Sequence, residues 1–216
     1  MEEPCFVGVN DTMISSPRID NQSSCRALLD AIEDGNRADG INIIALFDHE
    51  EIGSNSKQGA ASIMLHDMLR RILRNMDLSE NEIDESIYDA MLLSVDVAHA
   101  LHPNQKGKRW ISQICLSWEK VFVSSRRARS RMLRMRRLLL FYVSCVMKKG
   151  IPYQRFVNRS DSRGGSTLGS IAGTLLPVKT VDIGIPILAM HSACELMGVR
   201  DMKALSDCVT AFFGYH

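Results

Sequence analysis

The octet FDHEEIGS, Phe47 to Ser54, sets Glu50 beside Glu51 at the end of an apolar run, INIIALF. Neighbouring carboxylates repel, and their pKa values rise unless a cation sits close by. The pair therefore asks for a metal ion or a proton. Three further positions carry matching chemistry: Asp20 in SPRIDNQSS, Asp96 in SVDVAHALHPN and His191 in LAMHS. Carboxylates with an imidazole suit zinc, manganese or cobalt, and two such ions bridged by a carboxylate can orient and activate one water. The adjacent glutamates then take separate tasks. On an extended backbone neighbours point to opposite faces, so a turn over His49 to Gly53 is needed to put one on a metal and leave the other beside the water. Taken singly, each residue has an ordinary reading, a lone Asp as a helix cap and an EE pair as solvated surface. Those ordinary readings are the stronger ones until the joint occurrence is taken together with the longer motifs around these residues.

Residues so far apart in sequence meet only if the fold collects them. Apolar runs of strand length alternate with segments of helical period, which predicts an α/β three-layer sandwich with a mixed, largely parallel sheet and helices on both faces. In such a sheet the carboxyl ends of parallel strands share one edge, where distant loops converge. Strands are expected at Cys5 to Val9, Ile41 to Phe47, Met91 to Val97, Ile151 to Val157 and Thr180 to Ile183. Ile41 to Phe47, β-branched and almost unbroken, reads as a central strand covered on both faces. Helices are expected over Ser23 to Glu33, with Ala27, Leu28, Ala31 and Ile32 at helical spacing, over Gly59 to Met76, and over Asp201 to Phe213. Asn10 to Pro17 and Arg159 to Ser170 read as loops.

The 216 residues, 45% hydrophobic and 24% charged, suit one globular core rather than a disordered chain. Six scattered cysteines without a C-x-x-C spacing favour reduced thiols and a cytoplasmic setting over a disulfide scaffold or zinc ribbon. MEEPCFVGVN has neither a basic n-region nor a long apolar h-region, so no signal peptide is expected, and no run is long enough to span a bilayer. RSDSRGGSTLGS lacks the closing G-K-[ST] of a phosphate-binding loop. The net charge of +1 hides an asymmetry: Lys106 to Lys149 holds half of the 26 Lys and Arg but one acid, Glu119.

The motifs SPRIDN, FDHEEIGS followed by KQGA, SVDVAHALHPN, VNRSDSRGGSTLGS and TVDIGIPILAMHS resemble, in order, those of the aspartyl aminopeptidase family, the M18 metallopeptidases. The resemblance implies a metalloaminopeptidase that uses two zinc ions, with cobalt or manganese as substitutes, to remove acidic N-terminal residues from peptides. It implies that Asp20 bridges the metals, Glu51 and His191 are terminal ligands of one, and Asp96 is a ligand of the other. Glu50 would be the general base. His102 and the loop containing Gly165 and Ser166 would line the substrate pocket. Partners would be peptides with acidic N-termini and further copies of the chain in a large homo-oligomer, with no membrane.

Two departures accompany the resemblance. It begins partway through the family's chain, without the N-terminal part that carries one more metal-binding histidine and without the inserted dimerisation domain. One metal then keeps Asp20, Glu51 and His191, while the other has Asp20 and Asp96 alone, short of the usual three protein ligands. The window 109–147 matches nothing in the family although both flanks do. As a basic helix over 124–149 it would make the chain a non-enzymatic binding module, but it has no interleaved aromatics and no nucleic-acid motif. A third alternative is a truncated subunit that modulates full-length homologues. Read one base out of frame with permitted synonymous codons, Trp118 to Val146 gives LGKGFCIKQASKKQNATDAEAAAILRQLC, a string that resembles the family here. The window is therefore expected to be an out-of-frame translation between two compensating indels, and the chain to be a partial catalytic domain with at best a weak metal site and little or no turnover. Resequencing the coding DNA from upstream of Met1 through Lys149 should reveal both indels. DNA that reads as given would instead establish the basic helix as a feature of the chain and bring the binding-module alternative forward.

Overall fold

The computed structural model describes residues 2–35, 37–100, 102, 121–124, 146–156 and 167–214. Among these residues seven strands form one mixed sheet: β1 (Cys5–Val7), β2 (Met13–Ser16), β3 (Met91–His99), β4 (Val121–Ser124), β5 (Tyr153–Phe156), β6 (Lys179–Leu188) and β7 (Glu195–Gly198). Among the described residues five α-helices accompany them: α1 (Ile19–Asp34), α2 (Met64–Arg74), α3 (Glu80–Asp89), α4 (Leu168–Leu175) and α5 (Val199–Phe213). The strands run in the order β1-β2-β7-β6-β4-β5, with β3 parallel to β6 along nearly its whole length, from Met91 opposite Lys179 to His99 opposite Ile187. The α/β sandwich expected from the alternation of patterns is the observed architecture, but the sheet is not largely parallel: β3–β6 and β4–β5 run parallel, whereas β1–β2, β2–β7, β6–β7 and β4–β6 run antiparallel.

Pleating assigns the faces. Val95 and Val97 of β3 and Val181, Ile183, Ile185 and Ile187 of β6 are buried in one cluster with α1 and α5. On α1, Ala27 and Ala31 are fully buried one turn apart. They let it lie close to α5, which contributes Ala204, Leu205, Cys208 and Val209. The opposite pleat carries Ser94, Thr180 and Asp182 toward α4. A second, smaller cluster joins Ile83 and Ile87 of α3 to Leu176 and to Leu65, Leu69 and Leu73 of α2. Helix α3 starts at a capping box, in which the Ser79 hydroxyl accepts from the Glu82 N–H and the Glu82 carboxylate accepts from the Ser79 N–H.

Several sequence expectations change. Asn10 to Pro17 contains β2, which pairs with both β1 and β7, so its backbone groups are satisfied in a ladder rather than a loop. Ile41 to Phe47 is not a strand: none of the seven strands pairs with it, and Ile41 and Leu46 are 40% and 54% exposed. A β-rich composition makes a strand only where a neighbouring backbone completes the ladder. The helix expected from Gly59 begins at Met64, with turns before it, and Met64, Met68 and Ile72 are exposed while Leu65, Leu69 and Leu73 face α3. Leu168 to Ser170, expected as loop, opens α4. Within the basic window the described parts are β4 and Val146–Met147; Arg126 to Arg137, expected as helix, lies outside the described residues. Among the described residues no helix is long and apolar enough to cross a membrane.

The close approach of α4 to the sheet depends on Gly169. Its N–H donates to the Ser94 hydroxyl at 3.0 Å, and a Cβ there would lie 2.6 Å from Asp182 Oδ1 and 2.7 Å from Ser94 Cβ. Gly169→Ala should therefore destabilise the chain by ~1–3 kcal/mol in urea unfolding. An unchanged midpoint would contradict this packing.

Candidate metal centre

Three separate segments deliver the site. After β2 the chain turns through Arg18, whose φ is 59°, and buries Ile19, placing Asp20 at the start of α1. After β6 it turns through Ala189 and His191, with φ of 56° and 66°. Between them in sequence, His49 to Ser54 closes a tight turn: Gly53 N–H donates to Glu50 O at 2.8 Å and Ser54 N–H to His49 O at 2.9 Å. This is the turn that the EE pair requires. Ser54 is fully buried, and its carbonyl accepts from the N–H groups of Ser56 and Ala61. Gly59 packs against that carbonyl so closely that a Cβ would sit 2.1 Å from the oxygen. The SNSKQGA stretch thus anchors the acidic turn from behind.

The three segments bring Asp20, Glu51 and His191 together, with one ligand atom of each within 4.8 Å of the others. His191 Nε2 is 3.2 Å from Asp20 Oδ2 and 3.2 Å from Glu51 Oε2. Asp20 is largely buried, whereas Glu51 and His191 reach solvent. Two carboxylates and an imidazole with one open side fit a divalent ion of the zinc type, for which three protein ligands and an open fourth position are the catalytic pattern. The electrostatics fit as well. Burial, reinforced by Glu51 and Glu195 and opposed by His191, lifts the Asp20 carboxyl to about 6. Burial and then the Glu51 charge raise Glu50, again opposed by His191.

Asp96 stands beside this trio rather than in it. Its Oδ1 accepts from Asn21 Nδ2 at 3.0 Å and from Val97 N–H at 2.8 Å. Burial raises it to about 7, against the Val97 N–H and with help from the charges of Asp20, Glu50 and Asp182. Asp20, Glu50 and Glu51 line a cleft of about 390 Å³ whose apolar wall includes Leu28, Val95 and Leu168. His102 is exposed after β3, outside the trio, and Gly165 and Ser166 lie outside the described residues. Two contributors escape sequence reading. Asn21 is an unremarked amide beside Asp20. Glu195 opens β7 almost wholly buried, accepting from the N–H groups of Asp20 and His191. A lone acid at the edge of the apolar stretch ELMG was the available signal.

A family model described as aminopeptidase I zinc metalloprotease (M18) matches residues 1–213. The probable M18 family aminopeptidase 2 of Clostridium acetobutylicum is 39% identical over 214 residues, 98% of this chain and 49% of that protein. The chain spans about half the length of the curated relatives it matches. Among solved structures, a chain of the cryo-EM structure of the Ape4 and Nbr1 complex superposes with a TM-score of 0.84 at 27% identity, over 99% of this chain and 41% of that one. The S. cerevisiae mApe1 dodecamer shares the fold, with a TM-score of 0.78 at 19% identity over 98% of this chain and 48% of that one.

The raised carboxyls give stability a definite pH dependence. Asp20 at about 6 and Asp96 at about 7 keep protons in the folded chain that the unfolded chain, titrating near 3.8, has released. Their contribution is fully present below a pH of about 4 and is lost as the pH rises through 6 to 7. Metal-free chain should therefore lose stability in urea across that range relative to Asp96→Asn, and zinc at pH 7 should restore it. A gap between the two that does not change with pH would contradict the buried-carboxyl account.

Proposed function

Since the chain belongs to the M18 family of zinc metalloproteases, we propose that it is part of an aminopeptidase that hydrolyses acidic residues, Asp or Glu, from peptide N-termini with two zinc ions. The observation that carries this reading is the convergence of Asp20, Glu51 and His191 from three distant segments on one point beside a cleft. Asp20, Glu51 and His191 would hold one ion, and Asp20 with Asp96 would contribute to the other; cobalt or manganese would substitute. Bound there, the ions supply Lewis-acid polarisation of the peptide carbonyl and a lowered water pKa. Glu50 moves the proton. Its carboxylate, raised by burial and by Glu51, takes a proton from the attacking water and returns it to the departing amine. The anionic cleft also suits the positive α-amino group of a peptide N-terminus.

The acidic preference rests on the family resemblance. None of the described residues lining the cleft is Lys or Arg, so a cation for the substrate side chain comes from elsewhere in the polypeptide or from another copy. Homo-oligomeric assembly belongs to the same proposal, supported by the dodecamer of the mApe1 neighbour. A cytoplasmic setting is in keeping with the thiols of Cys5, Cys25 and Cys194, none of which is in a disulfide.

Zinc titration and peptidase assays on the full 216-residue chain test the reading. Zinc uptake is expected, lost in Asp20→Asn and His191→Ala, with weak turnover that favours N-terminal Asp over Leu. Glu50→Gln should keep zinc and lose turnover by about 10²–10⁴-fold. No zinc uptake, or turnover indifferent to Glu50→Gln, would overturn it.

A further inference from the structure

Glu195 is a carboxylate with 2% of its surface exposed, placed where two of the proposed ligands enter the site. Its Oε2 accepts from the backbone N–H of Asp20 at 2.8 Å and its Oε1 from the backbone N–H of His191 at 2.7 Å. A buried carboxylate is tolerated only where donors replace its water, and charge-assisted bonds of this length are the strong kind. Both oxygens are therefore committed to the segments that carry ligands.

The position of Glu195 in the sheet gives those bonds their effect. It is the first residue of β7, opposite Ser16 at the end of β2, and its neighbour Leu196 is opposite Leu188 at the end of β6. Asp20 follows β2 and His191 follows β6, so β7 lies between the two strands that lead into the site. The His191 segment has left-handed backbone at both Ala189 and His191, conformations that residues other than glycine hold only when neighbouring contacts fix them.

We infer that Glu195 is a positioning residue for the metal centre, a buried clamp that fixes the backbones of Asp20 and His191 relative to each other so that their side chains present one preformed ligand set. It touches neither metal nor substrate. Its carboxylate is required rather than an amide, because an amide has one oxygen and must turn its NH2 toward one of the two N–H donors. This role rests on Asp20 and His191 being ligands.

The test uses the full chain, titrated with zinc against a competing chelator and with cobalt for the visible absorption bands that report coordination geometry. Glu195→Gln should weaken zinc about 10–100-fold, the usual cost of losing a group that orients a ligand, and shift the cobalt bands. Met197→Leu, a buried change on the same strand, should leave both readouts as in wild type. Urea midpoints of the metal-free variants provide the fold check, and Glu195→Asp, too short to reach both donors, takes the place of the amide variant if that one does not fold. The role is overturned if Glu195→Gln binds zinc with wild-type affinity and spectrum. It is equally overturned if Met197→Ala, matched in urea midpoint, loses as much zinc affinity. Failure of wild type itself to bind zinc would instead defeat the metal reading from which the inference starts.

Discussion

Repulsion among carboxylates held partly out of water sets the terms for the rest of this chain. Asp20, Glu50 and Glu51 gather near the His191 imidazole with Asp96 beside them, and burial lifts Asp20, Glu50 and Asp96 above the ordinary carboxyl range. Such a group reaches neutrality by binding protons or by binding a cation. The same feature that weakens the empty fold at neutral pH thus gives a divalent ion its affinity, and it leaves Glu50 ready to exchange a proton.

Holding like charges together requires a rigid frame. The β3–β6 ladder and the packing of Ala27 and Ala31 against α5 make that frame, and the loops leaving β2 and β6 carry ligands from it. The acidic turn is secured differently, from behind, by the buried Ser54 and the close approach of Gly59. Glu195 adds one more negative charge, yet as a hydrogen-bond acceptor it ties two of the three ligand segments to each other.

Much of this was legible in the sequence where pattern and chemistry coincide. The helical spacing of Ala27, Leu28, Ala31 and Ile32 and the strand β3 follow from local pattern, whereas β6 was legible only over Thr180 to Ile183 and in fact runs from Lys179 to Leu188. Asp20, the Glu50–Glu51 pair, Asp96 and His191 were legible as one candidate constellation because their residue types suit a metal and they fall just past candidate strands or in adjoining loops. The choice of Glu51 over Glu50 as ligand came from the family resemblance, and the structure brings Asp20, Glu51 and His191 together. Pairing is another matter. MISS is too short and polar to announce β2, while INIIALF announces a strand that no ladder completes. Glu195 was hidden for the same reason, since its partners are backbone N–H groups that become neighbours only through the sheet. The capping box at Ser79 and Glu82 could have been read from its spacing alone.

The central claim is that Asp20, Glu51 and His191 converge to hold a divalent ion. Crystals of the chain grown with zinc, with diffraction collected at the zinc absorption edge, test it most directly. The account predicts an anomalous peak about 2.0–2.2 Å from carboxylate oxygens of Asp20 and Glu51 and from His191 Nε2. A peak elsewhere, or an ordered site in which His191 remains bonded to the two carboxylates with no ion between them, would contradict it.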